Sequence, residues 1–330
     1  MSVGTVSNVL NRPDTVSAPT RLRVQNAIDR LGFVRNESAR HLRAGSSRTI
    51  GLVVLDIANP FFTDLARAVE DVAGEQGLAV ILCNSADDAV RETRYLDLLT
   101  EQRVQGVLIT PTGEISPALD TVRRRGVPVV LVDRRSAGPD QCSVAVDDVL
   151  GGRLAAEHVL ERGHRRIAFV GGSSGLPQVE ERRAGVLAAV RERCGSDEGL
   201  TVLSPAQLTV AGGREAAELI IGLPAARRPT AVLCANDLLA LGVLQEMVRH
   251  GFTVPGDMAI VGYDDIDFAA AAAVPLSSVR KPRYELGRRA AELLLEEASD
   301  ESHQHQQPVF EPELIVRESS MIRLPGEGAA

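Results

Sequence analysis

The residues with the most chemical potential fall into two groups. The first is the opening run "SVGTVSNVLN", where Ser2 can cap a short helix by accepting a hydrogen bond from a free backbone N–H near Thr5. Helical spacing turns Val6, Val9 and Leu10 inward and Val3, Gly4, Thr5, Ser7, Asn8 and Asn11 outward. Small and polar groups on a short exposed helix suit a major groove, because the backbone comes close and hydroxyls and amides reach base edges or phosphates. A generic helical hairpin would carry the same pattern. The second group follows apolar runs: Asn59, Phe61 and Phe62 in "NPFF", Asn236 and Asp237 in "ANDLL", and Asp264 in "GYDD", together with the multi-donor Arg182 in "ERRAG". Each has a plain structural alternative. Phe61 and Phe62 could be core, Asn236 and Asp237 could cap the next helix, and Arg182 could form a surface ion pair.

Enzymatic chemistry is not expected. "GGSSG" at 171–175 is a loose Gly/Ser turn rather than a phosphate-cradling G-x-x-x-x-G-K. No nucleophile–base pair or metal-ligand set stands out, so no catalytic residue, metal or cofactor is expected. The tract "ESHQHQQP" with His303 and His305 reads as a solvated loop, because no further ligands lie close in sequence. Cys83, Cys142, Cys194 and Cys234 form no C-x-x-C pair and read as buried free thiols, as suits a reducing cytosol.

Elements that could position these residues are legible from Thr49 onward. Short Val/Ile/Leu runs at 49–55, 78–83, 106–110, 128–132, 166–172, 230–237 and 258–265 alternate with amphipathic helical patterns at 60–77, 88–103, 148–163, 178–194, 212–222, 236–251 and 282–298. Gly77, Gly163 and Gly251 stand just past helices, where a left-handed cap is wanted. Continuous apolar strands between helices predict an α/β chain of parallel sheets covered on both faces. Seven strand–helix units fit two sheets better than one. The carboxyl ends of two facing sheets would form a cleft, and the polar residues cluster just after strands.

The head differs from this body in charge. Residues 1–48 hold eight arginines against three acidic residues, a net +5, which leaves −13 on the remainder of a chain whose total is −8. A basic head on an acidic body points to nucleic acid at one end; a solvated basic segment is the alternative. No run approaches the roughly 20 apolar residues of a membrane span. The amino end lacks the order of a signal peptide, so a cytoplasmic protein with no membrane partner is expected.

The runs "SVGTVSNVLN", "VSAPTRLRVQNAIDRLGFVRN" and "SARHLRAGSSRTIGLVV" resemble the lactose-repressor/galactose-repressor family of bacterial transcription regulators. The resemblance continues in order through "NPFF", "VDR", "VDDVLGGRLAAEHVLERGHRRIAFVGG", "ERRAG", "ANDLLALG", "VGYDD", "KPRYELG" and "PELIVRESS". It implies a partial all-α helix-turn-helix head (1–35), a hinge (36–48) and a two-lobed periplasmic-binding-protein-like effector domain (49–330). Lobe 1 is expected at about 49–146 and 282–307, and lobe 2 at about 147–278 and 308–330.

By the same resemblance, Val3, Gly4 and Asn8 match base-reading positions, and Ser2, Thr5, Ser7 and Asn11 match phosphate contacts. In the hinge, Leu42 matches a minor-groove wedge flanked by Ala39, Arg40 and Arg43. Asn59, Phe61, Phe62, Arg182, Asn236, Asp264 and Lys281 fall on the family's ligand-contacting set. Lys281 stands where the family often has Gln. Its cation suits an effector carrying a carboxylate or phosphate, or it pairs with a cleft acid.

The resemblance further implies a homodimeric repressor on double-stranded, near-palindromic operator DNA. Its effector would be a sugar, sugar acid or sugar phosphate that closes or reshapes the cleft. With no leucine heptad after "PELIVRESS", a dimer is expected rather than a tetramer. Members carry about 15 further residues before the point matching Met1, so the natural chain is expected to start upstream and the chain as written to bind operator poorly. A sugar-binding transport protein would share residues 49–320 but would need a signal peptide and no basic head; a regulator controlled by a partner protein is a further alternative, against which the polar cleft argues.

Overall fold

The computed structural model describes residues 2–31, 47–113, 116–171, 175–300 and 302–321. The chain divides into two compact units, Met1–Ser47 and Arg48–Ala330.

In the first unit, α1 (Val3–Asn11) leads through a 3-10 turn (Pro13–Thr15) to α2 (Ala18–Leu31). Ser2 adopts an extended conformation and its side chain accepts the Thr5 N–H, as its residue type and place predict. The helices bury Val9 and Val24, while Val6, Leu10, Ala27 and Ile28 are half-buried. Leu31, which helical spacing places on the same stripe, is 74% exposed. The hinge residues Ala39, Arg40, Leu42 and Arg43 lie outside the described residues.

The second unit holds two six-stranded sheets of the same order. The first comprises β1 (Thr49–Val54), β2 (Ala79–Asn84), β3 (Val107–Ile109), β4 (Val129–Val132), β5 (Ser143–Val146) and, far along the chain, β11 (Val309–Phe310). Its order is β11-β5-β4-β3-β1-β2, parallel throughout. The second comprises β6 (Ile167–Val170), β7 (Leu200–Leu203), β8 (Ala231–Cys234), β9 (Ala259–Asp264), β10 (Ser277–Arg280) and β12 (Glu313–Ile315). Its order is β12-β10-β9-β8-β6-β7, with β12 alone antiparallel. Five of these strands, β5, β7, β10, β11 and β12, fall outside the seven apolar runs because all are short and all but β11 carry polar residues.

Helices clothe both faces of each sheet. In the first lobe, α3 (Pro60–Glu75) packs beside α11 (Arg283–Ser299), and α4 (Ala89–Glu101) beside α5 (Pro117–Arg124). In the second, α6 (Asp148–Glu161) packs on α7 (Pro177–Cys194), and α8 (Val210–Ile221) on α9 (Asp237–Arg249); a short α10 (Asp267–Ala270) precedes β10. The last lobe boundary lies later than the expected 307/308, because Val309 and Phe310 pair with Ala145 and Val146 in the first sheet. Of the four cysteines, Cys194 is exposed at the end of α7, contrary to expectation.

One close approach sets the spacing that the site needs. A Cβ on Gly152 would come within 2.0 Å of the Arg182 carbonyl oxygen, and one on Gly185 within 2.0 Å of the Val149 carbonyl oxygen. Thus α6 and α7 touch backbone to backbone, which brings Arg182 on α7 to Asp148 at the start of α6. Gly185→Ala should push the helices apart at a cost of about 1–3 kcal/mol, measured as a thermal midpoint several degrees lower; an unchanged midpoint would show that the contact does not set the packing.

Two histidines of the second lobe are buried and neutral. His158 Nε2 lies 2.6 Å from Ser320 Oγ, and His164 Nδ1 lies 2.9 Å from Thr230 Oγ1. Burial, then the Arg162 charge, takes both pKa values down to about 4. Their contribution to stability is therefore present above the ordinary imidazole range and lost as pH falls toward 4, because the unfolded chain takes up the protons first. In urea titrations, His158→Gln should show a shallower loss of stability between pH 6.5 and pH 4 than the parent; equal slopes would refute the assignment.

Candidate functional site

A cavity of about 330 Å³ opens between the carboxyl ends of the two sheets. Such switch-point crevices are where doubly wound sheets hold ligands. Asn59, Phe61 and Phe62 reach it from the turn after β1 and the start of α3, and Arg182 from α7. Asn236 and Asp264 reach it from the ends of β8 and β9, and Lys281 from the crossover after β10. All seven line this one space, although they come from segments more than 200 residues apart.

The cations are already partnered. Lys281 is the chain's only lysine and is 1% exposed. Its Nζ pairs with Asp133 Oδ1 at 2.5 Å and sits 4.0 Å above the Phe61 ring centre. Asp133 follows β4 of the first lobe. Burial is the main force raising its pKa, to about 6, against the pull of Lys281. Arg182 donates through Nε to Asp148 Oδ1 at 2.8 Å and through NH1 to the Ala235 carbonyl at 2.5 Å. Its guanidinium stacks 3.8 Å from the Tyr263 ring centre, and the Tyr263 hydroxyl donates to the same Asp148 oxygen at 2.7 Å. Burial, then the Asp148 charge, holds the Tyr263 phenol well above its usual range.

The lobes meet through polar contacts as well. Asn59 caps α3 by accepting the Phe61 N–H, and its Nδ2 donates to Asp264 Oδ2 at 3.1 Å. Burial raises the Asp264 pKa, against Lys281, Arg182 and the Asn59 hydrogen bond. Arg283 joins Asp64 of α3 at 2.6 Å to the Asp265 carbonyl at 2.6 Å. At the rim, burial and then the charge of Asp56 push Asp87 up to about 6. With Asp56, Asp87, Asp133 and Asp264 against Lys281 and Arg182, the lining carries more acid than base.

In the head, α1 exposes Gly4 and Asn8 and half-exposes Thr5 and Ser7. Ser2 Oγ and Thr5 Oγ1 are 2.9 Å apart, so one of the two hydroxyl hydrogens is spent inside the pair. The side chains of Val3 and Asn11 lie outside the described residues.

Comparison with known proteins follows this division. Residues 1–36 match "Bacterial regulatory proteins, lacI family", and residues 156–320 match the "Periplasmic binding protein-like domain". The repressor PurR of Aliivibrio fischeri strain MJ11 is 31% identical over 330 residues, spanning 98% of this chain and 96% of its own. The chain belongs to the lacI family of bacterial regulatory proteins. A LacI-family regulator from Enterococcus faecium solved with bound ribose is 29% identical, with a TM-score of 0.77 over 84% of this chain and all of its own. The regulator CelR, solved as a cellobiose complex, is 31% identical, with a TM-score of 0.72 over 97% of this chain and 96% of its own. This LacI-family member is a ligand-responsive DNA-binding transcriptional repressor.

Several sequence expectations change in detail. Asn236 lines the cavity but is committed as a helix cap: its Oδ1 accepts the Leu239 N–H and its Nδ2 donates to the Leu208 carbonyl. Phe61 is 1% exposed, with one face under Lys281 and an edge-to-face contact to Phe62 at 5.0 Å, so its ring is largely core. Sequence reasoning left out Asp133, Asp148, Tyr263, Gln178 and Asp87. The first three lie in "VDR", "VDDVLGG" and "VGYDD", where a carboxylate or phenol at a strand end was the available signal.

Removing the Lys281 ammonium leaves Asp133 buried without a counter-charge. Lys281→Met should cost about 3–5 kcal/mol in urea denaturation, and adding Asp133→Asn should restore most of it. If the double variant is no more stable than Lys281→Met, the pair is not the source of the loss.

Proposed function

We propose that this repressor binds double-stranded, near-palindromic operator DNA as a homodimer in the cytoplasm, and that a neutral, hydroxyl-rich sugar in the interlobe cavity is its effector. The carrying observation is that, among the described residues, both cationic side chains lining the cavity are already paired with buried carboxylates. An anionic ligand would have to compete with Asp133 or Asp148. The oxygens of Asp56, Asp87 and Asp264 suit hydroxyl donors instead, and Phe62 offers an apolar surface. This favours the cleft-acid role for Lys281 over a role in holding a sugar acid or sugar phosphate. The solved relatives that carry ribose and cellobiose support the same class.

Coupling to DNA is expected to run through the lobe contacts Asn59–Asp264 and Lys281–Asp133, which a ligand in the cavity must rearrange or reinforce. In the head, Val3, Gly4 and Asn8 are proposed to read bases, and Ser2, Thr5, Ser7 and Asn11 to hold phosphates. Leu42, with Ala39, Arg40 and Arg43, is proposed as the hinge wedge.

A thermal-shift panel tests the effector class. Ribose or cellobiose, representing neutral sugars, should raise the melting temperature by several degrees, while gluconate and ribose 5-phosphate should not. Asp264→Asn should abolish the shift. A rise confined to the anionic ligands would overturn the neutral-sugar reading. For the head, Asn8→Ala should weaken binding to a selected operator roughly 5–150-fold by fluorescence anisotropy and relax its sequence preference; unchanged affinity and preference would remove Asn8 from base reading.

A further inference from the structure

At the other end of the first sheet, four potential metal ligands meet. Cys142 immediately precedes β5, so it lies at the amino ends of the strands, whereas the effector cavity lies beyond their carboxyl ends. Beside it stand His303 and His305, from the connection between α11 and β11, and Glu297, from the last turns of α11. One ligand atom from each lies within 4.8 Å of all the others. Cys142 Sγ is 3.2 Å from His303 Nε2 and 3.5 Å from His305 Nδ1, and His305 Nδ1 is 3.8 Å from Glu297 Oε2. The tract read from sequence as a solvated loop therefore has the further ligands it lacked, supplied from up to 163 residues away.

We propose that Cys142, Glu297, His303 and His305 form a tetrahedral site for a divalent transition metal of the zinc class. Four observations carry this. First, the three separations of 3.2, 3.5 and 3.8 Å lie close to the roughly 3.3–3.6 Å that bonds of about 2.0–2.3 Å to sulfur, nitrogen and oxygen impose on neighbouring ligand atoms in a tetrahedron, and the other pairs lie within 4.8 Å. Second, a thiolate and a carboxylate neutralise a divalent ion, and thiolate with imidazole selects zinc-class metals over magnesium or calcium. Third, Glu297 Oε2 is buried and takes no hydrogen bond from outside the cluster among the described residues. Fourth, outer contacts fix the ligands. The Gln306 N–H donates to Cys142 Sγ at 3.4 Å, and the Ser143 N–H donates to the Gln306 carbonyl at 3.0 Å. Ser302 donates twice to Asp300 Oδ1, and the His303 N–H donates to the Asp300 carbonyl. Such outer contacts orient metal ligands.

A surface pocket lined by Glu297, Asp300, His303 and His305 gives an ion access, with Asp120 offsetting part of the charge of Arg123 and Arg124. A bound ion would displace the thiol proton to solvent and staple three segments: the start of β5, the end of α11 and the connection to the two-residue edge strand β11. It would act on the first lobe without entering the effector cavity.

The test uses the untagged full chain, stripped with a chelator and reloaded with zinc or cobalt(II) alone. We expect about one zinc per chain by elemental analysis. Zinc should raise the melting temperature by roughly 5 °C at a hundredfold excess over Kd. The cobalt form should show a thiolate-to-cobalt charge-transfer band together with the intense visible bands of a tetrahedral site. Cys142→Ser should lose the charge-transfer band and His303→Gln the stoichiometric zinc, while Cys194→Ser should retain both. If Cys142→Ser fails to fold, His303→Gln and His305→Gln carry the test. Absence of stoichiometric zinc and of the cobalt bands in the parent chain, or their full retention in the ligand variants, would overturn the site.

Discussion

A charge taken out of water costs several kcal/mol unless a partner meets it, and the interlobe cavity is arranged around that constraint. Arg182 is 4% exposed and Lys281 is 1% exposed. Each is tolerated because a carboxylate from another segment reaches it: Asp148 from the start of α6, and Asp133 from the end of β4. Those pairings in turn demand the backbone contact of α6 with α7 and the apposition of the two sheet ends. The chain uses arginine at every other cationic position. The compact ammonium of Lys281 fits the narrow space between the Phe61 ring and Asp133, where a planar guanidinium would need a wider slot.

The same arrangement relates the cavity to a switch. Lys281–Asp133, Asn59–Asp264 and the Arg283 bridge join the lobes at the mouth and at the crossover. A ligand that rearranges even one of them alters the relative free energy of the lobe positions, and an interface of this kind passes between discrete states rather than deforming smoothly. Because Asp133 and Asp264 titrate high through burial, the cavity also resists taking on further negative charge.

Much of the fold was legible because its signals are local. Seven apolar runs between amphipathic helices were enough for two covered parallel sheets, and Gly77, Gly163 and Gly251 do sit at positive φ past their helices. The strands that escaped, such as "SVAV" at β5 and "SSVR" at β10, are short, and the serines of β10 are met by distant partners: the Ser277 N–H by Ser319 and its hydroxyl by the Arg317 carbonyl, the Ser278 hydroxyl by Asp237. No window of sequence contains those partners.

What the sequence determined by itself was the order of the seven apolar strands and the long helices between them, the residue types at the strand ends and the capping of α1 by Ser2. These follow from periodicity and from hydrogen bonds closed within a few residues. Only tertiary structure decided which charge meets which. It tied the Asn236 amide to the Leu208 carbonyl, gave Lys281 to Asp133 and set Cys142 against His303 and His305. The physical reason is range: backbone preference acts over a turn or two, whereas the cost of burying a charge or a thiol is settled by whatever the folded chain brings within a few ångströms.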